Sequence, residues 1–196
     1  MAWDTEGTRR ALLEGGVVEF SAAGFAGARV DRIAAAAGVN KERIYSYFGD
    51  KAGLFDAVAL HVLSRVTAEV PFLGTGPEAI ADFAGRLFDH LQEKPELARL
   101  MAWEGLERGT DVVALDDRIA HCGERVAGIM GALPGVSRAD AAELLFSLIA
   151  ASHAWHVFPQ LAHMFVGSGD DADAGRRATV VAYARALATE VASRAN

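Results

Sequence analysis

The stretch that decides the fold is Val30-Asp-Arg-Ile-Ala-Ala-Ala-Ala-Gly-Val-Asn-Lys-Glu-Arg-Ile-Tyr-Ser-Tyr-Phe48. Val30, Ile33, Ala34 and Ala37 recur at helical spacing and predict a short helix over Arg29 to Ala37. Gly38 breaks it, because glycine takes the positive φ of a tight turn without a Cβ penalty. Asn40 is a good N-cap for a further helix from Lys41 to about Phe48. Two short helices joined by Gly38-Val39-Asn40 fit a helix-turn-helix. Ala34 is small where the helices must cross, Val39 plugs the angle, and Ile33, Ile44 and Phe48 supply the buried faces. The outer face is then left to Lys41, Glu42, Arg43, Tyr45, Ser46 and Tyr47, a polar and aromatic set suited to reading a DNA groove.

Upstream, Leu12, Leu13, Val17 and Phe20 predict a helix from about Thr5 to Ala23, with Gly24 as its C-terminal cap and Phe25 covering its end. Downstream, Asp50 caps a fourth helix from Lys51 to about Val70. The breaker-rich run Pro71-Phe-Leu-Gly-Thr-Gly-Pro77 reads as a linker. Further helices are expected at about 77–93, 95–108, 111–132, 138–166 and 172–194. Pro95 starts one of them, Pro134-Gly135 marks a turn, and Gly167-Ser-Gly-Asp-Asp forms a loop.

Composition agrees with this helical reading. Alanine occurs 39 times against 30 Val, Ile and Thr together, and no stretch alternates with period two as a half-buried strand would. The expected fold is all-α with about nine helices. With 52% apolar and 23% charged residues, the 196-residue chain is globular rather than disordered. A single cysteine, Cys122, excludes a disulfide framework and a multi-thiolate metal site. The longest apolar stretch, Leu144 to Ala151, falls short of a bilayer span, and the first residues lack a basic region followed by an apolar run. The expectation is a soluble, cytoplasmic protein with no membrane partner.

The net charge of −7 is unevenly spread. Residues 1–51 hold seven basic and seven acidic side chains, whereas the remainder carries 12 basic against 19 acidic. Within Ala28 to Lys51 there are five basic residues against three acidic ones. A local positive patch on an acidic body suits a protein that touches DNA with one end only.

The run Gly24-Phe25-x-x-x-x-Val30-x-x-Ile33-Ala34-x-x-Ala37-Gly38-Val39-Asn40-Lys41-x-x-Ile44-Tyr45-x-Tyr47-Phe48-x-x-Lys51-x-x-Leu54 closely resembles the N-terminal domain of TetR-family transcriptional regulators, over roughly residues 8–60. The resemblance implies a three-helix DNA-binding domain over 1–51 and a helical ligand-binding and dimerisation domain over 52–196. It implies DNA contacts from Asn40, Lys41, Arg43, Tyr45, Ser46, Tyr47 and Lys51. Arg43 suits a guanine edge, Ser46 and Tyr47 suit phosphates, and Lys51 at a helix start suits a phosphate. The chain departs from the common pattern at three places. Ala28-Arg29 stands where a hydroxyl residue often opens the second helix, leaving Arg29 to take the phosphate contact. Glu42 replaces a frequent glycine, and Ser46 a common histidine.

The same resemblance implies a homodimer on a palindromic double-stranded operator, joined through the last two long helices. Candidate dimer stripes are Leu144, Leu148, Ala151 and Trp155 in one helix and Val180, Ala184, Leu187 and Val191 in the other. The first of these helices is apolar nearly all round, so one face is expected to meet a partner. A small-molecule inducer pocket is also implied, with candidate walls Trp103, Met130, Phe146, His153, His156 and Phe158. His153, His156 and His163 suggest a metal, but His156 and His163 lie about 10 Å apart along a helix axis, too far to share an ion. No metal or other cofactor is expected. There is no phosphate loop, G-x-S-x-G elbow, H-E-x-x-H or dinucleotide fingerprint, so the chain is not expected to be an enzyme. The leading expectation is a ligand-released repressor. The alternative is a helical small-molecule-binding protein or enzyme with a vestigial helix-turn-helix.

Overall fold

The computed structural model describes residues 5–112 and 114–195, and every regular element among them is a helix. In chain order these are α1 (Thr5–Gly27), α2 (Val30–Ala36), α3 (Glu42–Phe48), α4 (Lys51–Glu69), α5 (Pro77–Glu93), α6 (Glu96–Arg108), α7 (Leu115–Ala132), α8 (Arg138–Val157), α9 (Pro159–Phe165) and α10 (Asp170–Arg194). The expected helix over 138–166 is two helices, bent by 84° at Phe158. Phe158 leaves the helical region, at φ −122° and ψ 54°, because the proline after it clashes with a helical predecessor. That break raises about nine helices to ten.

Three local expectations meet different fates. Gly24 interrupts α1 at φ 69° and ψ −178°, so the regular helix does end there and Gly24–Gly27 form a closing turn. Asp50 caps α4, its Oδ1 accepting from the Gly53 amide at 2.8 Å. Asn40 does not cap α3. The N-cap is Lys41, itself helical, with no side-chain cap, and Asn40 contributes its backbone carbonyl to Arg43 at 3.0 Å. A first turn entered from helical backbone leaves no extended residue for a side-chain cap.

The chain divides into two compact units. The first joins the described residues up to Arg65 with Glu96–Arg118. In it α1 packs on α2 and along α6. Its core comprises Leu12, Val17 and Phe20 of α1, Ile33 and Ala34 of α2, Ile44 of α3, Leu54, Phe55 and Val58 of α4, and Leu97 and Leu100 of α6. Each is at most 5% exposed, and burying a side chain of this size contributes about 1.5–3 kcal/mol.

The second unit joins Val66–Pro95 with the described residues from Ile119 onward. Helix α5 packs against α8 and α10, which also meet each other, burying Ile80, Phe83, Leu87, Phe88 and Leu91. Arg177 binds Asp89 through two bonds of 2.7 Å, and Arg185 binds Glu78 at 2.6 and 2.9 Å, which fixes the register of α10 on α5. The run Pro71 to Pro77, expected as a linker, is instead anchored in this unit, together with Val70 before it. Arg125 donates to the Val70 carbonyl at 2.9 Å and Arg86 to the Pro71 carbonyl at 2.7 Å. Phe72 stacks on Phe83 at 4.0 Å and fills a notch at Gly128, where a Cβ would come within 2.5 Å of its ring. The Gly76 amide closes the loop onto the Ala132 carbonyl at 2.7 Å. Among the described residues no single helix is long and apolar enough to cross a membrane, although α8 and α9 pass together as a bent pair by length and composition.

Candidate nucleic-acid interface

Helix α3 has one apolar anchor. Ile44 is fully buried, and with Ile33 and Ala34 it seats the helix on α2. The turn between them is held by the Gly38 and Val39 amides, which donate to the carbonyls of Ala35 and Ala34 at 3.1 and 3.0 Å. Gly38 takes φ 68° with open space around it, so this glycine serves the backbone turn rather than a close approach.

With Ile44 turned inward, Lys41, Glu42, Tyr45 and Ser46 lie exposed, and Arg43 and Tyr47 are half-buried. Tyr45 is 48% exposed, so it does not pack between helices. Lys41 pairs with Asp31 at 3.3 Å across open surface, a contact worth little in water and easily exchanged for a phosphate. Asn40 is exposed beside them at the head of the turn. Phe48, expected as core, is only half-buried, with Tyr47 at 6.2 Å and the Arg9 guanidinium over its ring at 5.6 Å.

Arg29 stands at the N-cap of α2 with no side-chain cap. Its own amide donates to Glu19 of α1 at 3.0 Å, and the Arg29 side chain is exposed. Lys51 opens α4, half-buried, its Nζ 5.0 Å from the Phe25 ring centre and donating to the Ala26 carbonyl at 3.3 Å.

Sequence reasoning did not reach Glu107 and Arg108 of α6, which with Trp103 back the corner between α1 and α2. Glu107 Oε2 accepts from the amides of Phe25 and Ala26 at 2.7 and 3.1 Å. Trp103 sits against Gly24, where a Cβ would come within 2.9 Å of the indole. The Arg108 guanidinium lies 5.4 Å over Phe25. Deeper, Glu104 receives two bonds from Arg118 at 2.6 and 2.9 Å, both side chains being buried. Beside this pair Asp56 is 8% exposed, and its Oδ1 has no hydrogen-bond partner. Desolvation raises the Asp56 carboxyl from 3.8 to about 6, with Arg108 and Arg118 opposing and Glu104 adding to the rise. Partners 82 residues apart leave no periodic trace in a sequence, so only the fold brings them together.

The residues expected around an inducer do not form one set. Trp103 belongs to the first unit, whereas Met130, Phe146, His153, His156 and Phe158 belong to the second. Phe146 is 68% exposed and walls no interior space of this chain. Met130, His153 and His156 are half-buried, the last with its ring 6.3 Å from Phe88. Burial pushes His153 down to about 4, so it is neutral at pH 7, and its Nδ1–H donates to the Ile149 carbonyl at 2.9 Å. Phe158 lines an apolar surface groove of about 220 Å³ with Trp155, Leu161, Phe165 and Arg176. No group of three or more potential metal ligands occurs among the described residues.

The expected dimer stripes divide in the same way. Leu144, Leu148, Val180 and Ala184 are at most 2% exposed in the single chain, so they form the subunit's own core and a partner cannot reach them. Helix α8 is apolar on every side, and the side carrying Leu144 and Leu148 turns into its own subunit. Ala151, Trp155, Leu187 and Val191 remain half-buried, with Trp155 donating to Asp173 at 2.9 Å. The outward apolar side chains are Phe146, Ile149, Phe158, Leu161, Met164, Phe165, Val166 and Tyr183.

Comparison with known proteins agrees with this architecture at both ends of the chain. Residues 12–58 match the model of bacterial regulatory proteins of the tetR family, and residues 79–186 match that of the tetracyclin repressor-like C-terminal domain. The HTH-type transcriptional repressor SCO4008 of Streptomyces coelicolor is 37% identical over 190 residues, 95% of this chain and 97% of its own. The HTH-type transcriptional repressor NicS of Pseudomonas putida is 29% identical, over 84% of this chain and 78% of its own. The solved structure of SCO4942 from Streptomyces coelicolor superimposes with a TM-score of 0.70 at 29% identity, covering 92% of this chain and 97% of that one. The transcriptional regulator FadR of Bacillus subtilis, solved with stearoyl-CoA, shares the fold at a TM-score of 0.67 and 17% identity, over 91% and 98% of the two chains. A two-helix turn presenting an exposed polar face, and a helical body that matches the second model over more than half the chain, together show that this protein belongs to the TetR family of transcriptional regulators.

Proposed function

We propose that the protein is a cytoplasmic repressor that binds a palindromic operator as a homodimer and is released by a small molecule. The single observation that carries the DNA reading is the outer face of α3, exposed and polar around one buried isoleucine. Residues 1–51 act as the DNA-binding domain and 52–196 as the ligand-binding and dimerisation domain. Arg43 reads a base edge, while Arg29, Asn40, Lys41, Tyr45, Ser46, Tyr47 and Lys51 hold phosphates or neighbouring bases. Support for a second copy comes from the outward apolar side chains of α8 to α10. Eight of the fourteen large apolar residues exposed among the described residues fall between Phe146 and Tyr183, a concentration that marks an interaction surface. The inducer reading rests on the family and on half-buried Met130, His153 and His156, of which His153 is held neutral by burial.

The test is a titration of the protein against a duplex that it selects from a random pool, at two salt concentrations. Retention that falls steeply with salt, and is lost in Arg43→Ala and Tyr47→Ala, is the expected result. Retention of no duplex at low salt refutes the reading.

A further inference from the structure

The corner between α1 and α2 is held through two backbone donors and one backbone acceptor. On the donor side, the amides of Phe25 and Ala26 both point at one carboxylate oxygen of Glu107, at 2.7 and 3.1 Å. On the acceptor side, the Ala26 carbonyl receives Lys51 Nζ at 3.3 Å. The Phe25 ring between them is faced by Lys51 Nζ at 5.0 Å and by the Arg108 guanidinium at 5.4 Å, and it meets Phe55 edge-on at 5.5 Å. Gly24 makes this possible, since any side chain there would strike Glu107 Oε1 at 2.6 Å. A lysine ammonium has three donors, so the bond to Ala26 fixes the direction of Nζ and leaves two for a phosphate.

We infer that Glu107 is a positioning residue for the DNA contact of Lys51, acting through the peptide groups of Phe25 and Ala26. The inference rests on the DNA-binding reading above and adds to it the point at which α6 acts on the reading face. Two charge-assisted bonds pull the corner toward α6. Holding the Phe25 and Ala26 amides fixes the backbone at Ala26, and with it the direction of the carbonyl that receives Lys51. A displacement of α6 withdraws the carboxylate, frees the corner and releases Nζ to swing. Arg43 and Ser46, on α3, are not tied to this corner by any of these bonds.

The experiment is a double-mutant cycle on the full chain, using a duplex selected by the unaltered protein from a random pool. Glu107→Ala and Lys51→Ala are each expected to weaken binding about tenfold, as loss of a charged contact does. Each is also expected to lower the slope of log affinity against log salt by about one phosphate contact. The combined variant is expected to bind no more than about twofold worse than Lys51→Ala alone, because both changes remove one contact. Glu107→Gln, whose amide oxygen still accepts both bonds, is expected to keep the original slope. An unchanged slope in Glu107→Ala, or a combined loss equal to the product of the two, overturns the inference. Glu107→Asp runs the same cycle with the charge kept and the reach shortened, so poor folding of Glu107→Ala does not shelter the idea. Failure of the unaltered protein to retain any duplex strikes the DNA-binding reading itself and is seen before a variant is made.

Discussion

Replacing Asp56 by asparagine should stabilise the protein at neutral pH and leave it nearly unchanged in acid. Asp56 is buried beside the Glu104–Arg118 pair with one oxygen unpartnered, and its carboxyl titrates at about 6 rather than 3.8. The folded chain therefore holds this proton more tightly than the unfolded chain does, and stability falls as pH rises between the two values. Below about pH 4 both states are protonated and the cost is absent. Above about pH 6 both are ionised and the folded state carries the full penalty. The difference between 3.8 and about 6 converts to about 3 kcal/mol, an upper bound because asparagine keeps a polar group at the site. Urea denaturation of both proteins at pH 4.5 and pH 7.5, at matched concentration, measures it. The gain should be near its maximum at pH 7.5 and much smaller at pH 4.5. An equal difference at the two pH values would refute the assignment of the penalty to a charge on Asp56.

Three further outcomes follow from particular contacts. Gly24→Ala should cost about 3 kcal/mol in the same denaturation assay, since φ 69° with ψ −178° is held almost only by glycine and the added Cβ meets Glu107 and Trp103. Glu104→Gln should destabilise by about 3–5 kcal/mol by leaving the buried Arg118 uncompensated. It should also move the titration of Asp56 downward, which NMR of a carboxyl-labelled sample would register. Phe146→Glu should shift the sedimenting species from dimer to monomer with an unaltered far-ultraviolet spectrum, because that ring is 68% exposed in the single chain.

The helix-turn-helix was legible because its signals are local. A turn glycine at Gly38, a small Ala34 at the crossing and a single buried Ile44 lie within a dozen residues, and each does in the structure what its chemistry suggests. Gly24 and Asp50 were readable for the same reason. Asn40 does not cap because the chain is already helical at Lys41, the residue that enters α3. Half of the expected dimer stripe lies in the subunit's own core for a different reason. An alanine-rich helix that is apolar all round carries no periodic contrast, so Leu144 and Leu148 cannot be told from Phe146 and Ile149 without knowing where α5 and α10 lie. The Val70–Gly76 anchors were hidden too, since Arg125 and Arg86 read as ordinary surface charges until their carbonyl partners are known.

The first compact unit is discontinuous along the chain, closed by a helix that begins some thirty residues after α1–α4 have left it. Chimaeras that graft the head of one such regulator onto the body of another at a seam near residue 51 would sever Glu107, Trp103 and Leu100 from the surfaces they complete. Exchange between relatives should therefore succeed only when α6 travels with the head. Specificity for DNA and the segment carrying Glu107 are then inherited as one piece, although a stretch of unrelated duty lies between them in the gene.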